Sequence, residues 1–451
     1  MKFSLKKIIT NKFIRDFIIN AAASALPVVL LQFLIEPLMS SHMISVFGKD
    51  AGEETFGLMI TVVSLFTMLA TIFGNSLNNA LLIKHKEIDN GRRDYNIIFI
   101  AMEVLTIASL MLVLTLVYHV YDPMILGLIG VVGISSTFFS YCAAQFRMDF
   151  KYHLFLFCEL GKCAGYGLGF LLFKVTNNWV YVFLIGSILE TVLCFIFTRI
   201  WKYPYKTSKY FKAITFATLF ILGSSLTASL VNYFDKLILY PMMGGDSVSI
   251  YNTATIIAKG LSLVTTPLGA VLLGYLVKRK FLTVKQLLIM LIAFTVLIIP
   301  FFFGFYYAAK WILPYMYPDY YEEAFKLLVF TTLFAIVSIY ISMCEPILLT
   351  HNGERISLYY GIAKAGVVIL FSFIGIWVDG LYGFCIFRLI SMGVSFAILF
   401  VLLIFRSRHL NKQPVIQDGG NEEDEHEAPE ELESDGMGDA DFDAEGGVKK
   451  K

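Results

Sequence analysis

Ionisable side chains that fall within long apolar stretches are the residues of this sequence that could carry out chemistry. Acidic ones are candidates for binding a coupling cation, Na⁺ or H⁺, and these are Glu103, Glu159, Glu190 and Asp235. Basic ones in the second half are candidates for binding an anionic group of a substrate, and these are Lys236, Lys259, Lys364 and Arg388. A charge at the centre of a spanning helix costs roughly 2.5–3.5 kcal/mol on insertion scales, so its side chain tends to face a partner or water.

A structural role competes with each of these assignments. Glu159 and Lys162 are three residues apart on one helix face, where they could form an ion pair. Lys364 could extend its ammonium group to the cytoplasmic interface. A functional role is favoured for the residues deepest in their spans, which are Lys259, Arg388 and Glu190.

Motifs of enzymatic chemistry are missing from the sequence. It has no Walker-type phosphate loop, no zinc-protease helix motif and no Cys and His cluster at metal-ligand spacing. The longest loop predicted to lie outside, from about Lys310 to Glu322, is too short for a catalytic domain. We therefore predict that the protein is not an enzyme, holds no resident cofactor and has no nucleic-acid partner. Because no nucleotide-binding domain is found, any transport is expected to be passive or driven by an ion gradient.

The composition indicates an integral membrane protein. Hydrophobic residues make up 57% of the chain and charged residues only 16%, whereas a soluble chain is about 45–50% apolar and about 25% charged. About 20 apolar residues make one spanning helix. Stretches of this kind are predicted at 17–44, 55–82, 96–120, 124–146, 154–174, 179–200, 214–241, 251–277, 282–309, 323–349, 357–378 and 381–405. The expected fold is all-α, with about twelve transmembrane helices.

Lysine and arginine are concentrated in alternate loops, which predicts the orientation of the chain. By the positive-inside rule, this distribution indicates a multi-pass protein of the cytoplasmic membrane with both termini in the cytoplasm. The basic loop from Trp201 to Lys212 is the natural boundary between two halves. We predict a six-helix bundle over 1–206, a second over 207–409, and a disordered acidic cytoplasmic tail over 410–451. The tail is rich in Asp, Glu and Gly and has too little apolar surface to fold.

Similar junctions follow the first and the seventh predicted helices. The first is Phe47-Gly48-Lys49-Asp50, and the second is Met243-Gly244-Gly245-Asp246, about 195 residues later. Six helices lie between the junctions, so the two halves have the same orientation. This repeat predicts two bundles that are related by an axis along the membrane normal.

Gly161, Gly165 and Gly169 are spaced four residues apart in the fifth predicted helix. A stripe of small residues at this spacing lets two membrane helices approach closely. We therefore predict a close helix contact along this face.

Several short motifs, taken in order, resemble those of Wzx-type polysaccharide flippases. The stretch 232–239, followed by Gly244-Gly245 and by Ser249-Ile250-Tyr251-Asn252, is similar to the helix-seven to helix-eight signature of that family. Gly74-Asn75-Ser76-Leu77 and Gly380-Leu381-Tyr382-Gly383 also fit. The resemblance covers residues 10–405. Arg388 departs from the family pattern, which usually has an uncharged residue at that position.

The resemblance implies membership of the superfamily that includes MATE exporters and peptidoglycan lipid flippases. It implies two six-helix bundles around a central cavity that opens to alternate sides of the membrane. The implied activity is movement of an undecaprenyl-diphosphate-linked oligosaccharide from the inner to the outer leaflet, for surface polysaccharide export. Membrane lipids and other polysaccharide-assembly membrane proteins would be the further partners. The basic second half suits a diphosphate cargo.

Two other functions compete with this interpretation. An ion-coupled small-molecule exporter of the multidrug type could use the same fold, and it would require acidic residues to dominate the cavity. An integral-membrane glycan enzyme would require carboxylates or histidines grouped at the membrane surface. The sequence shows no convincing group of that kind, so the enzyme is the weaker alternative.

Overall fold

The computed structural model describes residues 12–84, 92–278, 284–352 and 354–410, and within 257–301 it describes the side chains of Ile292, Val296 and Pro300 only. These residues form helices and contain no strand. The all-α prediction is therefore confirmed. Beyond its first residue, the predicted tail over 410–451 lies outside the described part of the chain.

The first half begins with two helices that each contain a π-helical turn. Helix α1 comprises Lys12–Leu30, the turn Leu31–Ile35 and Glu36–Phe47. Helix α2 comprises Lys49–Leu69, the turn Ala70–Gly74 and Asn75–Lys84. The next four helices are α3 (Arg92–Leu116), α4 (Pro123–Met148), α5 (Tyr152–Thr176) and α6 (Val180–Phe197).

The second half contains two long helical runs that are each interrupted by a turn. Phe211–Lys278 is broken at Gly244, which separates α7 (211–243) from α8 (245–278). Glu354–Leu410 is broken at Asp379 and Gly380, which separate α11 (354–378) from α12 (381–410). Between the two runs lie α9 (Val284–Met316) and α10 (Tyr321–Asn352).

Nine segments of the described residues are long and apolar enough to cross a membrane. Two of them, Phe211–Ile256 and Arg355–Phe405, contain the turns at Gly244 and Gly380. A helix of 46 residues is about 69 Å long, whereas the hydrocarbon core is about 30 Å thick. Arg355–Phe405 is divided by its turn into two parts that are each long enough to cross once. In the other run, α7 (211–243) and the whole of α8 (245–278) are each long enough to cross once. The multi-pass membrane fold is confirmed, while the number twelve and the division into two six-helix bundles stay predictions.

Glycines with positive φ make the turns at one end of the helices. Gly48 has φ 83° and ψ 170°, and Gly244 has φ 83° and ψ 174°. Residues with a Cβ atom rarely adopt this conformation because of steric clashes, whereas glycine adopts it readily. The shared backbone geometry supports the predicted repeat of the two junctions. We call the end of the molecule that holds Gly48, Gly244 and Gly380 the glycine-turn end.

At the glycine-turn end, the two halves share one hydrophobic core. Farther from that end, the buried side chains form separate clusters. The shared core joins Met39, Phe56 and Phe183 of the first half to Tyr251 and Tyr317 of the second. A second cluster consists of first-half side chains together with the start of α7. The third belongs to the second half alone. The packing therefore joins the two halves most firmly at the glycine-turn end.

The orientation of the chain can be tested with single cysteines in a variant that lacks the six native ones. From the positive-inside rule we expect the glycine-turn end to face outward. We expect Met242→Cys and Val378→Cys, at exposed positions beside two of the turns, to react with an impermeant thiol reagent added to intact cells. Lys206→Cys, in the basic loop, is expected to react only after the cells are permeabilised. The reverse pattern would invert the topology.

Candidate functional site

Arg388 of α12 is buried in the second half among groups of three other helices. Its side chain is only 2% exposed, and Nη2 donates to the backbone oxygen of Val231 on α7 at 2.8 Å. The guanidinium carbon lies 5.0 Å from the ring centre of Phe334 and 5.8 Å from that of Phe384. A cation over aromatic faces is attracted by their quadrupoles. This packing holds Arg388 in a defined position.

The carboxylate of Asp235 on α7 is the charged partner of Arg388. Its Oδ2 atom lies 3.9 Å from Arg388 Nη2 and accepts a hydrogen bond of 3.0 Å from the Tyr251 hydroxyl on α8. We call Arg388, Asp235 and Tyr251 the Arg388 cluster. A predicted anion-binding residue and a predicted coupling residue thus lie side by side. Removing one partner of such a buried pair typically costs about 3–5 kcal/mol.

Two nitrogens of Arg388 remain available for another acceptor. Nε and Nη1 are buried and have no hydrogen-bond partner among the described residues. A guanidinium offers five N–H donors in a rigid planar arrangement that matches carboxylate and phosphate oxygens. A buried donor that stays unpaired costs about 1–3 kcal/mol. The Arg388 cluster therefore combines a fixed cation with unused donors.

The other predicted anion-binding residues are distributed along the second half. Lys364 of α11 forms an ion pair with Glu345 of α10, with 2.5 Å between Nζ and Oε1. Lys236 is half-buried beside Asp235 on α7. Lys259 belongs to α8, and its side chain lies outside the described set. The structure thus brings Arg388 and Lys364 to carboxylates on neighbouring helices.

The predicted coupling residues of α5 and α6 lie in one buried group of the first half. Glu190 of α6 is fully buried, and the Nζ atom of Lys162 lies 3.0 Å from its carboxylate oxygens. Glu159, one turn before Lys162 on α5, is also buried. The salt bridge of Lys162 thus joins two helices, whereas sequence spacing had suggested Glu159 as its partner. When all three groups are ionised, the two carboxylates and one ammonium group have a net charge of −1. One bound cation or proton would neutralise this charge.

The close approach of α5 and α6 follows from their glycines. A Cβ atom at Gly165 would lie 2.6 Å from the Cα of Gly186, and one at Gly169 would lie 2.5 Å from the Cα of Val182. The close contact predicted along the glycine stripe is confirmed. It places α6 near enough for Lys162 to reach Glu190.

Glu103 of α3 is separate from this group. Both of its carboxylate oxygens are buried, and neither has a hydrogen-bond partner in the described part of the chain. An isolated buried carboxylate is costly in its charged form unless a cation or a proton neutralises it. Glu103 could therefore bind a cation or a proton, and it lies on a different helix from Glu159 and Glu190.

The sequence did not predict the contacts that join the halves at the glycine-turn end. Glu54 Oε2 accepts a 2.6 Å hydrogen bond from the backbone N–H of Gly245, and the Ser249 hydroxyl donates to the Glu53 carbonyl at 3.0 Å. A Cβ atom on Gly57 would lie only 1.9 Å from the Gly245 carbonyl oxygen. In the sequence, only the repeated glycine junction pointed to this region, and it did not indicate that α2 and α8 cross there.

Hydrogen bonds deeper in the molecule connect the same two halves. Asn252 of α8 donates to Glu36 of α1 at 3.3 Å. The Tyr118 hydroxyl, after α3, donates to the Leu237 carbonyl of α7 at 3.3 Å. Tyr317 donates to the Gln32 carbonyl in the π-helical turn of α1, also at 3.3 Å. These contacts and the crossing of α2 over α8 close the space between the halves at this end.

Comparison with solved structures shows where the same fold occurs. The lipid II flippase MurJ, in an inward closed conformation, aligns with a TM-score of 0.65 at 14% identity, over 88% of this chain and 93% of that chain. An inward-facing multidrug resistance MATE family transporter of the MOP superfamily aligns with a TM-score of 0.60 at 14% identity, over 87% of this chain and 96% of that chain. The chain has the fold of these proteins.

The sequence alone gives no such match, since no protein-family model and no curated protein matches it. The two solved structures are, by their names, a flippase and a transporter rather than enzymes. Within the described residues, no group of three or more His, Cys, Asp or Glu side chains could hold a metal ion.

Proposed function

We propose that this protein is a flippase that moves an undecaprenyl-diphosphate-linked oligosaccharide from the inner to the outer leaflet by alternating access. The proposed role is export of a surface polysaccharide, together with other membrane proteins of polysaccharide assembly. The observation that carries the proposal is the fully buried guanidinium of Arg388, of which two nitrogens, Nε and Nη1, have no hydrogen-bond partner among the described residues. The shared fold with a lipid flippase supports it.

The chemistry of the cargo explains why Arg388 matters. A diphosphate carries negative charge on several oxygens and accepts paired hydrogen bonds from one guanidinium. The attraction is far stronger in a low-dielectric interior than in water. Asp235 balances the charge of Arg388 while no cargo is bound, and it lies 3.9 Å from Nη2, beyond a direct hydrogen bond. Lys364, Lys236 and Lys259 would add positive potential in the same half.

The packing of the two halves supports entry of the cargo from the cytoplasmic side. The halves share a core at the glycine-turn end and have separate clusters farther away. If the positive-inside rule holds, the closed end faces outward. The lipid-linked cargo would then enter from the inner leaflet, and opening of the glycine-turn end would release it.

A reconstituted system tests the proposed function. The purified protein is placed in liposomes with a fluorescent prenyl-diphosphate-linked oligosaccharide, and an impermeant reductant bleaches the label in the outer leaflet. We expect the protein to raise the bleached fraction above the roughly one half available without exchange. Liposomes with Ile390→Ala, at a half-exposed position on α12, serve as the matched control and should behave as wild type. Failure of the wild-type protein to exchange this lipid would contradict the proposal.

A small-molecule exporter coupled to Na⁺ or H⁺ is the second candidate. The buried, unpartnered carboxylate oxygens of Glu103 favour it, as do the paired carboxylates Glu159 and Glu190 around Lys162. In the flippase proposal the same carboxylates would bind the coupling cation. The two functions differ in cargo, since an exporter would move a small cationic dye and a flippase would not.

A further inference from the structure

The basic loop that joins the two halves forms an ordered surface. Its lysines Lys202, Lys206, Lys209 and Lys212 are all exposed. The chain contains no Asp or Glu between Glu190 and Asp235. No ion pair links the four lysines to a carboxylate of any described residue. Their positive charge is therefore not neutralised by a described salt bridge.

Side chains of α3 and α4 hold this loop in place. Asn96 donates to the carbonyls of Ile200 and Tyr203 at 3.1 and 3.0 Å, and the Tyr141 hydroxyl donates to Asn96 Oδ1 at 2.8 Å. Asn96 and Tyr141 are buried. Buried hydrogen bonds of this kind fix the backbone of the loop to the first half, so its lysines extend from defined backbone positions.

Two further anchors hold the ends of the loop. Gln145 Oε1 accepts from the backbone N–H groups of Arg199 at 2.7 Å and Ile200 at 2.9 Å. At the other end, the buried Asp94 accepts from the backbone N–H of Ser208 at 2.6 Å and also from its hydroxyl. Asp94 is therefore satisfied by Ser208 instead of pairing with a lysine.

An apolar groove begins where the loop enters α7. It is a shallow, open depression along one face of α7 and is lined by Phe211, Lys212, Thr215, Phe216 and Leu219. The side chain of Phe216 is 75% exposed and that of Leu219 is 53% exposed. These residues begin a segment that is long and apolar enough to cross a membrane, so in a bilayer we expect the groove to face lipid chains, with Lys212 at its edge.

The aromatic residues of the loop are typical of the boundary between water and lipid. Tyr205 and Tyr210 are exposed, and the ammonium groups of Lys202 and Lys209 lie 5.0 and 4.9 Å from the ring centres of Trp201 and Tyr210. Tyrosine and tryptophan are enriched at this depth, where one end of the ring is apolar and the other is hydrated. A basic cluster at the same depth attracts anionic headgroups.

We propose that this surface, residues 199–219, is a binding site for an anionic phospholipid. The headgroup phosphate contacts the lysines of the loop, and one acyl chain lies in the groove along Phe216 and Leu219. The fixed loop makes the site preformed, which lowers the entropy lost on binding. The lipid contacts the linker and α7 together, so it bridges the first half to the start of the second. This site is independent of the proposed transport function.

Native mass spectrometry of the full-length protein with phosphatidylglycerol, and with phosphatidylcholine of the same chains, tests the site. We expect the wild type to retain phosphatidylglycerol selectively. The variant Lys202→Gln/Lys206→Gln/Lys209→Gln is expected to lose affinity roughly 10²-fold, since each lysine near an anionic lipid contributes about fivefold. Leu219→Trp, which fills the groove, is expected to weaken retention of phosphatidylglycerol with all lysines present.

A matched control removes the same charge elsewhere. Lys49→Gln/Lys174→Gln/Lys310→Gln changes three exposed lysines and is expected to retain phosphatidylglycerol as the wild type does. Equal loss in this control, or unchanged retention in the loop variant, would overturn the proposal. Equal retention of phosphatidylcholine would also contradict the proposal, because it would show that the headgroup charge is not recognised. Displacement of the lipid by millimolar inorganic phosphate would contradict it as well, because it would indicate a site for a free anion. A thermal melt of each variant confirms that it is folded.

Discussion

Arg388→Ala is expected to lower the stability of the protein and to abolish lipid flipping. The substitution leaves the buried Asp235 without its cationic partner, which typically costs about 3–5 kcal/mol. It also removes the donors that we assign to the diphosphate. Loss of flipping in this variant alone would therefore fit a structural role as well as a functional one.

A double variant separates the two roles. Arg388→Met/Asp235→Asn removes both charges and keeps an amide oxygen as acceptor for the Tyr251 hydroxyl. We expect its melting temperature to return close to that of the wild type, because replacing both members of a buried pair is often nearly neutral. Flipping is expected to stay absent, because the cargo still lacks its cation. Recovery of flipping together with stability would show that the pair is only structural.

Gly57→Ala is expected to have the second large effect, by forcing the glycine-turn end apart. The new Cβ atom would lie 1.9 Å from the carbonyl oxygen of Gly245 and 2.4 Å from its Cα, so α2 and α8 cannot keep their present crossing. Overpacking of this kind typically costs about 1–3 kcal/mol. The closed arrangement is therefore destabilised, and flipping should fall because the cycle cannot return to it.

Cysteine accessibility measures this opening. Ser40→Cys, at a buried position of α1 beside Tyr320, is expected to be protected from a thiol reagent in the wild-type background and to react when Gly57→Ala is present. Gly127→Ala and Gly304→Ala are matched controls, since nothing lies within 4 Å of a Cβ at either position. Protection of the cysteine and normal flipping in Gly57→Ala would contradict the assignment of this crossing as the closed end.

Most of the helix pattern could be predicted from the sequence, because each span is marked by apolar length and each break by a polar or glycine turn. The predicted break between 241 and 251 contains Gly244, and the one between 378 and 381 contains Gly380. The repeat was visible in the sequence because both junctions have a residue with positive φ, Gly48 and Gly244, and this conformation favours glycine at each. The π-helical turns of α1 and α2 carry no sequence marker of this kind.

The candidate site was predictable only in part. The cost of burying charge identified Arg388, Glu159 and Glu190 from their place within apolar spans, whereas Asp235 was expected near the end of its span. Depth does not determine which face of a helix a side chain occupies, so the pairing of Lys162 with Glu190 needed the contact of α5 with α6. The contribution of Tyr251 was also hidden, because a tyrosine in an apolar segment is most often a packing residue or an interface anchor.

The most direct test of the proposed function compares two cargoes in the same proteoliposomes. One is the fluorescent prenyl-diphosphate-linked oligosaccharide, and the other is a small dicationic dye, each measured with and without a Na⁺ or H⁺ gradient. The account predicts exchange of the lipid between leaflets by the wild type, none by Arg388→Met/Asp235→Asn, and no movement of the dye. Transport of the dye without exchange of the lipid would contradict the flippase proposal and establish the small-molecule exporter.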